Sequence, residues 1–262
     1  MRADLELRSR TLIGLGLGVF AFLLLLGGTY EALGGAEALG RQFGDKTPSM
    51  FSAFSGSRGA NIFEPQQYLA FGFNHPLFLV LTLTVAIGIG TDAVAGDVEN
   101  GRAELLYTRP IARTRILDMR IVVWSIAQVL VVGCALAGAA LGSRLSSDLR
   151  GVDLISIVWV ATQYLPLAAF VGGLAFAASA LMPTKGRATG LTIALVAGAY
   201  LANFVSLLWS PARFVRLLEP FGYYSPLEAV HGPDWGHAAV LLAAAVALML
   251  VARFAVKRRD LV

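Results

Sequence analysis

The charged side chains that could do chemistry gather between two apolar runs, in residues 91–116, which we call the polar segment. Glu99, Glu104, Arg109 and Arg113 stand there within fifteen residues. Carboxylates and guanidinium groups at such spacings form ion pairs and charge-assisted hydrogen bonds, so they offer non-covalent recognition rather than catalysis. The cations Arg109, Arg113 and Arg115 are expected to meet anionic headgroups or acidic side chains of a partner protein. The alternative is a solvated basic loop without a partner, and this pattern alone leaves the two readings balanced.

Apolar residues in the same segment recur at helical spacing. Val98, Leu105 and Leu106 are seven and eight residues apart, which places them on one side of a short amphipathic helix, with Asp97 on another side. Pro110 lacks an amide donor and disfavours helical angles in the preceding residue. The segment is therefore predicted to form a helix, a bend and a second helix that begins near residue 111.

Other residues with chemical potential lack a supporting context. His75, His231 and His237 are irregularly spaced, and no carboxylate or cysteine accompanies them at metal-ligand spacing. No Gly-x-x-x-x-Gly-Lys-Ser/Thr run that would bind ATP occurs, and no serine, histidine and acid grouping indicates hydrolysis. We therefore expect no enzyme, no metal and no cofactor on this chain.

The surrounding sequence must place the polar segment at a membrane. Hydrophobic residues make up 56% of the 262 residues and charged residues only 15%, against roughly 25% in soluble domains. Six apolar runs are near the ~20 residues that cross a bilayer as helix. They cover Leu12–Gly28, Tyr68–Gly90, Leu117–Gly142, Leu154–Leu181, Leu191–Trp209 and His237–Val256. The sequence predicts an all-α polytopic membrane protein with a single transmembrane domain over residues 1–262.

The distribution of positive charge predicts the orientation. Fourteen of the 21 lysines and arginines fall on one side if the spans alternate, which indicates cytoplasmic termini in the cell's inner (plasma) membrane. A long loop over 29–67 and a second segment over 210–236 then lie outside, and 91–116 lies inside. The second outer segment and its borders are expected to form an interfacial aromatic belt with Trp209, Phe214, Phe221, Tyr223, Tyr224 and Trp235. Because the basic residues stand between apolar runs, nucleic acid is not an expected partner.

Small residues predict where spans approach one another. Gly138 and Gly142 are four residues apart, as are Gly173 and Ala177, and this spacing brings helix backbones close together. Pro76 stands in the second span and is expected to kink it.

The order of residues in the polar segment resembles a known family. The motif residues that follow the second span are Glu99, Gly101, Glu104, Leu105, Leu106, Thr108, Pro110 and Arg113. In this spacing they are similar to the cytoplasmic signature of ABC-2 type transporter permeases. The resemblance covers most of the chain, including the long first outer loop and the basic C-terminal end. Where the family commonly has a threonine after the motif glycine and often a lysine at the close, this sequence has Arg102 and Arg120.

The resemblance implies a function and partners. Proteins of this family pair with a cytoplasmic ABC ATPase, which carries ATP and Mg, and with a second permease, either another copy in a homodimer or a homologous chain. The short inner helix is the coupling helix that docks to the ATPase. The docking residues expected by this resemblance are Glu99, Gly101, Glu104, Leu105, Arg109, Pro110 and Arg113.

The expected function is export of an amphipathic or hydrophobic compound such as a drug, antibiotic, peptide or lipid. Two alternatives stay open. One is an ABC-2 subunit that supports metal-cofactor assembly outside the membrane, and the other is a membrane scaffold or enzyme unrelated to transport.

Overall fold

The computed structural model describes residues 2–35, 64–103 and 112–259, and these fold entirely into helices and connecting turns. The α-helices, in chain order, are α1 (Arg2–Ala32), α2 (Pro65–Asn74), α3 (Pro76–Asp92), α4 (Ala95–Glu99), α5 (Arg113–Leu145), α6 (Leu154–Leu181), α7 (Lys185–Leu208) and α8 (Trp235–Arg258). Three short 3-10 helices stand between α7 and α8, at Ser210–Leu217, Pro220–Tyr223 and Ala229–His231. The all-α prediction is confirmed.

The predicted spans correspond to helices long and apolar enough to cross a membrane. Five single helices qualify, and the pair α2 and α3 makes up to six if it forms one bent span. Several helices extend past the predicted runs, since hydropathy marks only the part in hydrocarbon. The predicted outer loop is shorter at both borders, because α1 continues to Ala32 and α2 begins at Pro65. The rest of that loop, residues 36–63, lies outside the described residues.

The second span bends by 44° at His75, as Pro76 predicts. Proline has no amide hydrogen, so the Gly72 carbonyl accepts a bond from the His75 amide, at 3.4 Å, rather than from residue 76. The Leu77 amide donates to Nδ1 of His75, which caps the new helix at 3.2 Å. The Phe73 carbonyl accepts a hydrogen bond from the Tyr224 hydroxyl at 2.9 Å. A carbonyl next to the bend is thus satisfied from a distant part of the chain.

Helix α6 occupies the centre of the bundle and packs against α3, α5, α7 and α8. Small residues allow these contacts, as the sequence predicts. A methyl group on Gly173 would lie 2.9 Å from the Ala245 carbonyl oxygen of α8. Helix α5 meets α1 in the same way, since a methyl group on Gly142 would lie 2.8 Å from the Leu23 carbonyl oxygen and one on Gly138 would overlap the Phe20 carbonyl. The backbones of these helices therefore touch directly.

Five of the six aromatic residues predicted for the belt divide into two groups, and the sixth, Tyr223, is partly buried. Trp209, Phe214 and Trp235 are 61%, 65% and 64% exposed, which fits an interfacial belt. For Phe221 and Tyr224 the prediction of a belt is wrong, because both are buried. The Tyr224 hydroxyl binds the bend in the second span, and the Phe221 ring packs 5.4 Å from that of Tyr200. The 3-10 helices therefore close one end of the bundle.

Glu219 is a buried acid in this closing segment. Its side chain is only 5% exposed, and one carboxylate oxygen accepts a bond from the Phe221 amide at 2.7 Å. Burial, only partly offset by this bond and by the charge of Arg216, raises the pKa of Glu219 to about 8. The carboxyl group of Glu219 therefore keeps its proton to a higher pH than a solvent-exposed glutamate does.

The raised pKa of Glu219 predicts a pH-dependent stability. The unfolded chain ionises near pH 4.5, whereas the folded chain holds the proton to about pH 8, so stability falls as the pH rises through this window. We expect the thermal midpoint of the purified protein to fall between pH 5 and pH 8 relative to that of Glu219→Gln, which carries no titrating group. The exposed neighbour Glu228 provides the control, since Glu228→Gln is expected to retain the decline. Parallel curves of thermal midpoint against pH for the wild type and Glu219→Gln would contradict the prediction.

Candidate functional site

The polar segment begins where α3 ends, and its first residues are fixed to α6. The hydroxyl of buried Ser179 accepts hydrogen bonds from the amides of Val94 and Ala95, at 2.9 and 3.0 Å. The same hydroxyl donates to the Thr91 carbonyl at 2.7 Å. These groups are at the break between α3 and α4, where the helical hydrogen-bond pattern is interrupted. One side chain of α6 therefore positions the start of the polar segment.

Asp97, on the one-turn helix α4, is the centre of an ion cluster. Its side chain is fully buried, and each carboxylate oxygen binds a different arginine. Arg102 Nε donates to Oδ1 at 3.0 Å, and Arg120 Nη2, from α5, donates to Oδ2 at 2.6 Å. A buried carboxylate needs such partners because an unpaired charge in this environment costs several kcal/mol.

A second carboxylate extends the cluster to α7. Asp92, the last residue of α3, lies 3.0 Å from the Lys185 ammonium group and 3.5 Å from Nη2 of Arg102. Its carbonyl oxygen accepts a bond from Arg120 Nη1 at 3.4 Å. Gly96 contacts this carboxylate, and a methyl group there would overlap the Asp92 side chain. Glycine at this position is therefore a packing requirement.

Glu99 connects the same segment to the first turn of α7. One of its carboxylate oxygens accepts a hydrogen bond from the Lys185 amide at 2.7 Å. A negative charge at a helix N-terminus is favourable because it satisfies a free amide and opposes the helix dipole. With Glu99, three carboxylates face three cations, and the cluster is electrically neutral. Its members are Asp92, Asp97, Glu99, Arg102, Arg120 and Lys185, and we call them the ion cluster.

The end of α8 joins the same end of the bundle. Arg259 Nη1 donates to the carbonyl oxygens of Ala180 and Met182, at 3.0 and 2.9 Å, where α6 ends. The Arg259 carbonyl in turn accepts a bond from Arg113 Nη1 at 2.7 Å. A cation at a helix C-terminus satisfies carbonyl groups that have no intrahelical donor. The ends of α5, α6 and α8 are thus linked by two arginines.

Only some of the predicted docking residues belong to the described structure. Glu99 and Arg113 lie there and make the contacts given above, and Gly101 adopts φ +65°, a conformation that favours glycine and ends the turn after α4. Glu104, Leu105, Arg109 and Pro110 lie outside the described residues. The structure therefore brings Glu99 toward α7 and Arg113 toward α8.

Sequence reasoning missed the residues that bind Asp97 and Asp92. It placed Asp97 on a polar side of an amphipathic helix, whereas this side faces the protein. One signal was available, since Asp97 follows the small apolar stretch from Ala93 to Gly96, where a carboxylate has little access to water and must find a cation. Arg102 and Arg120, the two positions that depart from the usual family residues, are the cations that bind it.

The arrangement offers attachment rather than reaction chemistry. The carboxylates of the ion cluster are engaged by cations or an amide, and they connect the polar segment to α5 and α7 while Ser179 connects it to α6. A force applied to this segment would therefore reach several spans at once. Such an element suits the transmission of movement between the polar segment and the spans.

Comparison with known proteins gives the class of protein that the residue order of the polar segment resembles, a transporter permease. The family model described as the multidrug efflux system permease Rv1217c, C-terminal domain, matches residues 4–257, which is nearly the whole chain. No curated protein matches the sequence. The matched range contains the ion cluster and all the predicted spans. The chain therefore belongs to the family of the multidrug efflux permease Rv1217c C-terminal domain.

Proposed function

We propose that this chain is the membrane-spanning subunit of an ATP-driven exporter that moves amphipathic or hydrophobic drugs outward. The family match supports the transport role, because the family is described by a multidrug efflux permease. A separate cytoplasmic ABC ATPase would bind ATP and Mg and supply the energy. A second permease, either another copy of this chain or a homologue, would complete the membrane part.

The ion cluster is the observation that carries the coupling role. It holds the polar segment against the ends of α3, α5 and α7 through Asp92 and Asp97, both nearly excluded from water. Charge pairs in such a setting are short and directional, so the segment moves with these helices rather than independently of them. Export requires two states of the bundle that nucleotide stabilises differently, and a rigid attachment transmits that difference.

The proposed orientation has both termini and the ion cluster in the cytoplasm. The excess of positive charge on this side supports it. The 3-10 helices that close the opposite end would then face outward. In this arrangement the ATPase reaches the polar segment from inside, and the drug leaves between two permease subunits.

Within the proposed docking segment the residues divide into two roles. Glu99 and Arg113 hold contacts inside the chain, to the Lys185 amide and the Arg259 carbonyl, so we assign them to positioning the segment. Gly101 forms the turn that follows α4. Glu104, Leu105, Arg109 and Pro110 are proposed to meet the ATPase, with the two charges setting the register and Leu105 filling an apolar contact.

Charge reversal in the docking segment tests the proposal. We expect Glu104→Arg to lower drug-stimulated ATP hydrolysis of the reconstituted complex about five- to tenfold, because a reversed charge at an interface repels its partner. Membrane insertion is expected to stay unchanged, and it is measured as the yield of monodisperse protein extracted from the membrane.

Glu228→Arg is the matched control for this experiment. Its side chain is exposed between the 3-10 helices, far along the chain from the polar segment, and it makes the same change in net charge. This control is expected to keep full stimulation. Docking through this segment would be contradicted if Glu104→Arg kept normal drug-stimulated ATP hydrolysis. It would also be contradicted if Glu228→Arg lost as much of this activity as Glu104→Arg.

A further inference from the structure

A basic groove lies between the start of α5 and the last turns of α8. It has a volume of about 460 Å³ and is lined by the cations Arg113, Arg253 and Lys257 and the apolar side chains Leu250 and Phe254. The four residues from α8 are spaced at i, i+3, i+4 and i+7, so they form one stripe on that helix. The groove therefore joins positive charge and apolar surface side by side.

The charge of the groove is positive and partly uncompensated. Arg253 Nη1 lies 3.2 Å from Oδ1 of Asp118, in a pair whose side chains are 51% and 41% exposed. Arg113 donates to a neutral carbonyl, that of Arg259, and so keeps its charge. The three cations of the groove and the carboxylate of Asp118 leave an excess of two positive charges among the described residues at this site. An anion is the ligand that this excess favours.

The apolar stripe shows what kind of anion fits. Val246, Leu250 and Phe254 are 55%, 59% and 55% exposed, and they run along a helix of 24 residues that is apolar enough to span a membrane. At 1.5 Å per residue, α8 is about 36 Å long, so its last turns extend past a hydrocarbon core of about 30 Å. Lys257, in the last turn, therefore lies at headgroup level, and Arg253, about 27 Å along the helix, extends its long side chain toward the same level. The apolar stripe lies directly below them in the acyl-chain region.

We infer that this groove binds an anionic phospholipid, with its phosphate between Arg113, Arg253 and Lys257 and one acyl chain along Leu250 and Phe254. Basic pockets between the cytoplasmic ends of spans bind acidic headgroups in this way. A protein surface could match the cations, but it would leave the exposed side chains below them to another contact. A phospholipid matches both halves of the groove.

Lipid titration followed by native mass spectrometry tests the site on the 262-residue chain without the ATPase. Phosphatidylglycerol and phosphatidylcholine with the same acyl chains are the probes. We expect the wild type to bind phosphatidylglycerol more tightly, and the affinity for it to fall about tenfold in the double variant Arg253→Gln/Lys257→Gln. Phosphatidylcholine binding is expected to change little.

Two further variants keep the test decisive. Arg144→Gln/Arg150→Gln removes the same charge at the other end of α5 and is expected to leave the phosphatidylglycerol preference intact. Lys257→Gln alone changes one exposed side chain, so it reports on the groove even if the double variant is unstable.

Three outcomes would overturn the inference. The first is equal binding of the two lipids by the wild type, and the second is an equal loss of phosphatidylglycerol affinity in Arg144→Gln/Arg150→Gln. The third is that Arg253→Gln/Lys257→Gln keeps the preference for phosphatidylglycerol but, in a separate assay, no longer co-purifies with the ATPase. The last would assign the groove to protein docking. Because lipid binding is measured without ATPase or drug, a failed lipid site and a failed transport role remain distinguishable.

Discussion

Asp97→Asn is expected to destabilise the protein strongly and to uncouple it from the proposed ATPase. Asparagine has nearly the same shape, so the change removes the charge without opening a cavity. Arg102 and Arg120 would then share a buried amide in place of a carboxylate. Breaking a buried ion pair from one side costs about 3–5 kcal/mol. The arginine side chains keep 27% and 22% exposure, which places our expectation at about 3 kcal/mol.

The thermal midpoint of the purified protein and drug-stimulated ATP hydrolysis check this prediction. A loss of about 3 kcal/mol corresponds to a fall of roughly 10 °C for a chain of this size. Asp118→Asn is the matched control, because its pair with Arg253 is exposed and worth at most about 1 kcal/mol. A midpoint for Asp97→Asn within 2–3 °C of this control would show that the cluster does not hold the segment.

A double-variant cycle separates the ion pair from general damage. If Asp97 and Arg120 act on each other, Asp97→Asn/Arg120→Gln should lose less stability than the sum of the two single changes, since one unpaired cation is removed. Additive losses would mean that the pair contributes nothing specific. Stimulated hydrolysis that stays low while the double variant regains stability would assign Asp97 a positioning role in coupling.

Gly138→Val is expected to be strongly damaging within the spans. Its side chain would overlap the Phe20 carbonyl of α1, and a backbone oxygen cannot rotate away. The two helices would have to separate along their whole contact, which loses packing that drives association in lipid. Overpacking of a core costs about 1–3 kcal/mol when side chains can adjust, so a backbone clash should reach or exceed the upper value.

Gly133→Val provides a matched comparison on the same helix. Nothing lies within 4 Å of a methyl group at Gly133, and this residue is exposed to the surroundings of the bundle. We expect its thermal midpoint to equal that of the wild type or to rise slightly, because glycine is a poor helix former. Similar midpoints for Gly133→Val and Gly138→Val would contradict direct contact between α1 and α5.

The bend in the second span shows how far local sequence reaches. Pro76 predicts a break, because the missing amide hydrogen is a property of that residue alone. The Tyr224 hydroxyl, 151 positions later, supplies a donor to Phe73, and nothing near Pro76 indicates it. The same holds for the aromatic belt, where exposure of Trp209 and burial of Phe221 depend on how the 3-10 helices fold back.

The sequence by itself determined the membrane class, the all-α spans, the small-residue contacts of Gly138, Gly142 and Gly173, and the place of the polar segment. Each follows from apolar run length, residue size or spacing, which are local properties. Only the tertiary structure decided the distant partners of Asp97 and Asp92, because Arg120 reaches Asp97 and Lys185 reaches Asp92 once α3, α5 and α7 pack together. Burial gives these charges their strength, and burial is a property of the assembled bundle.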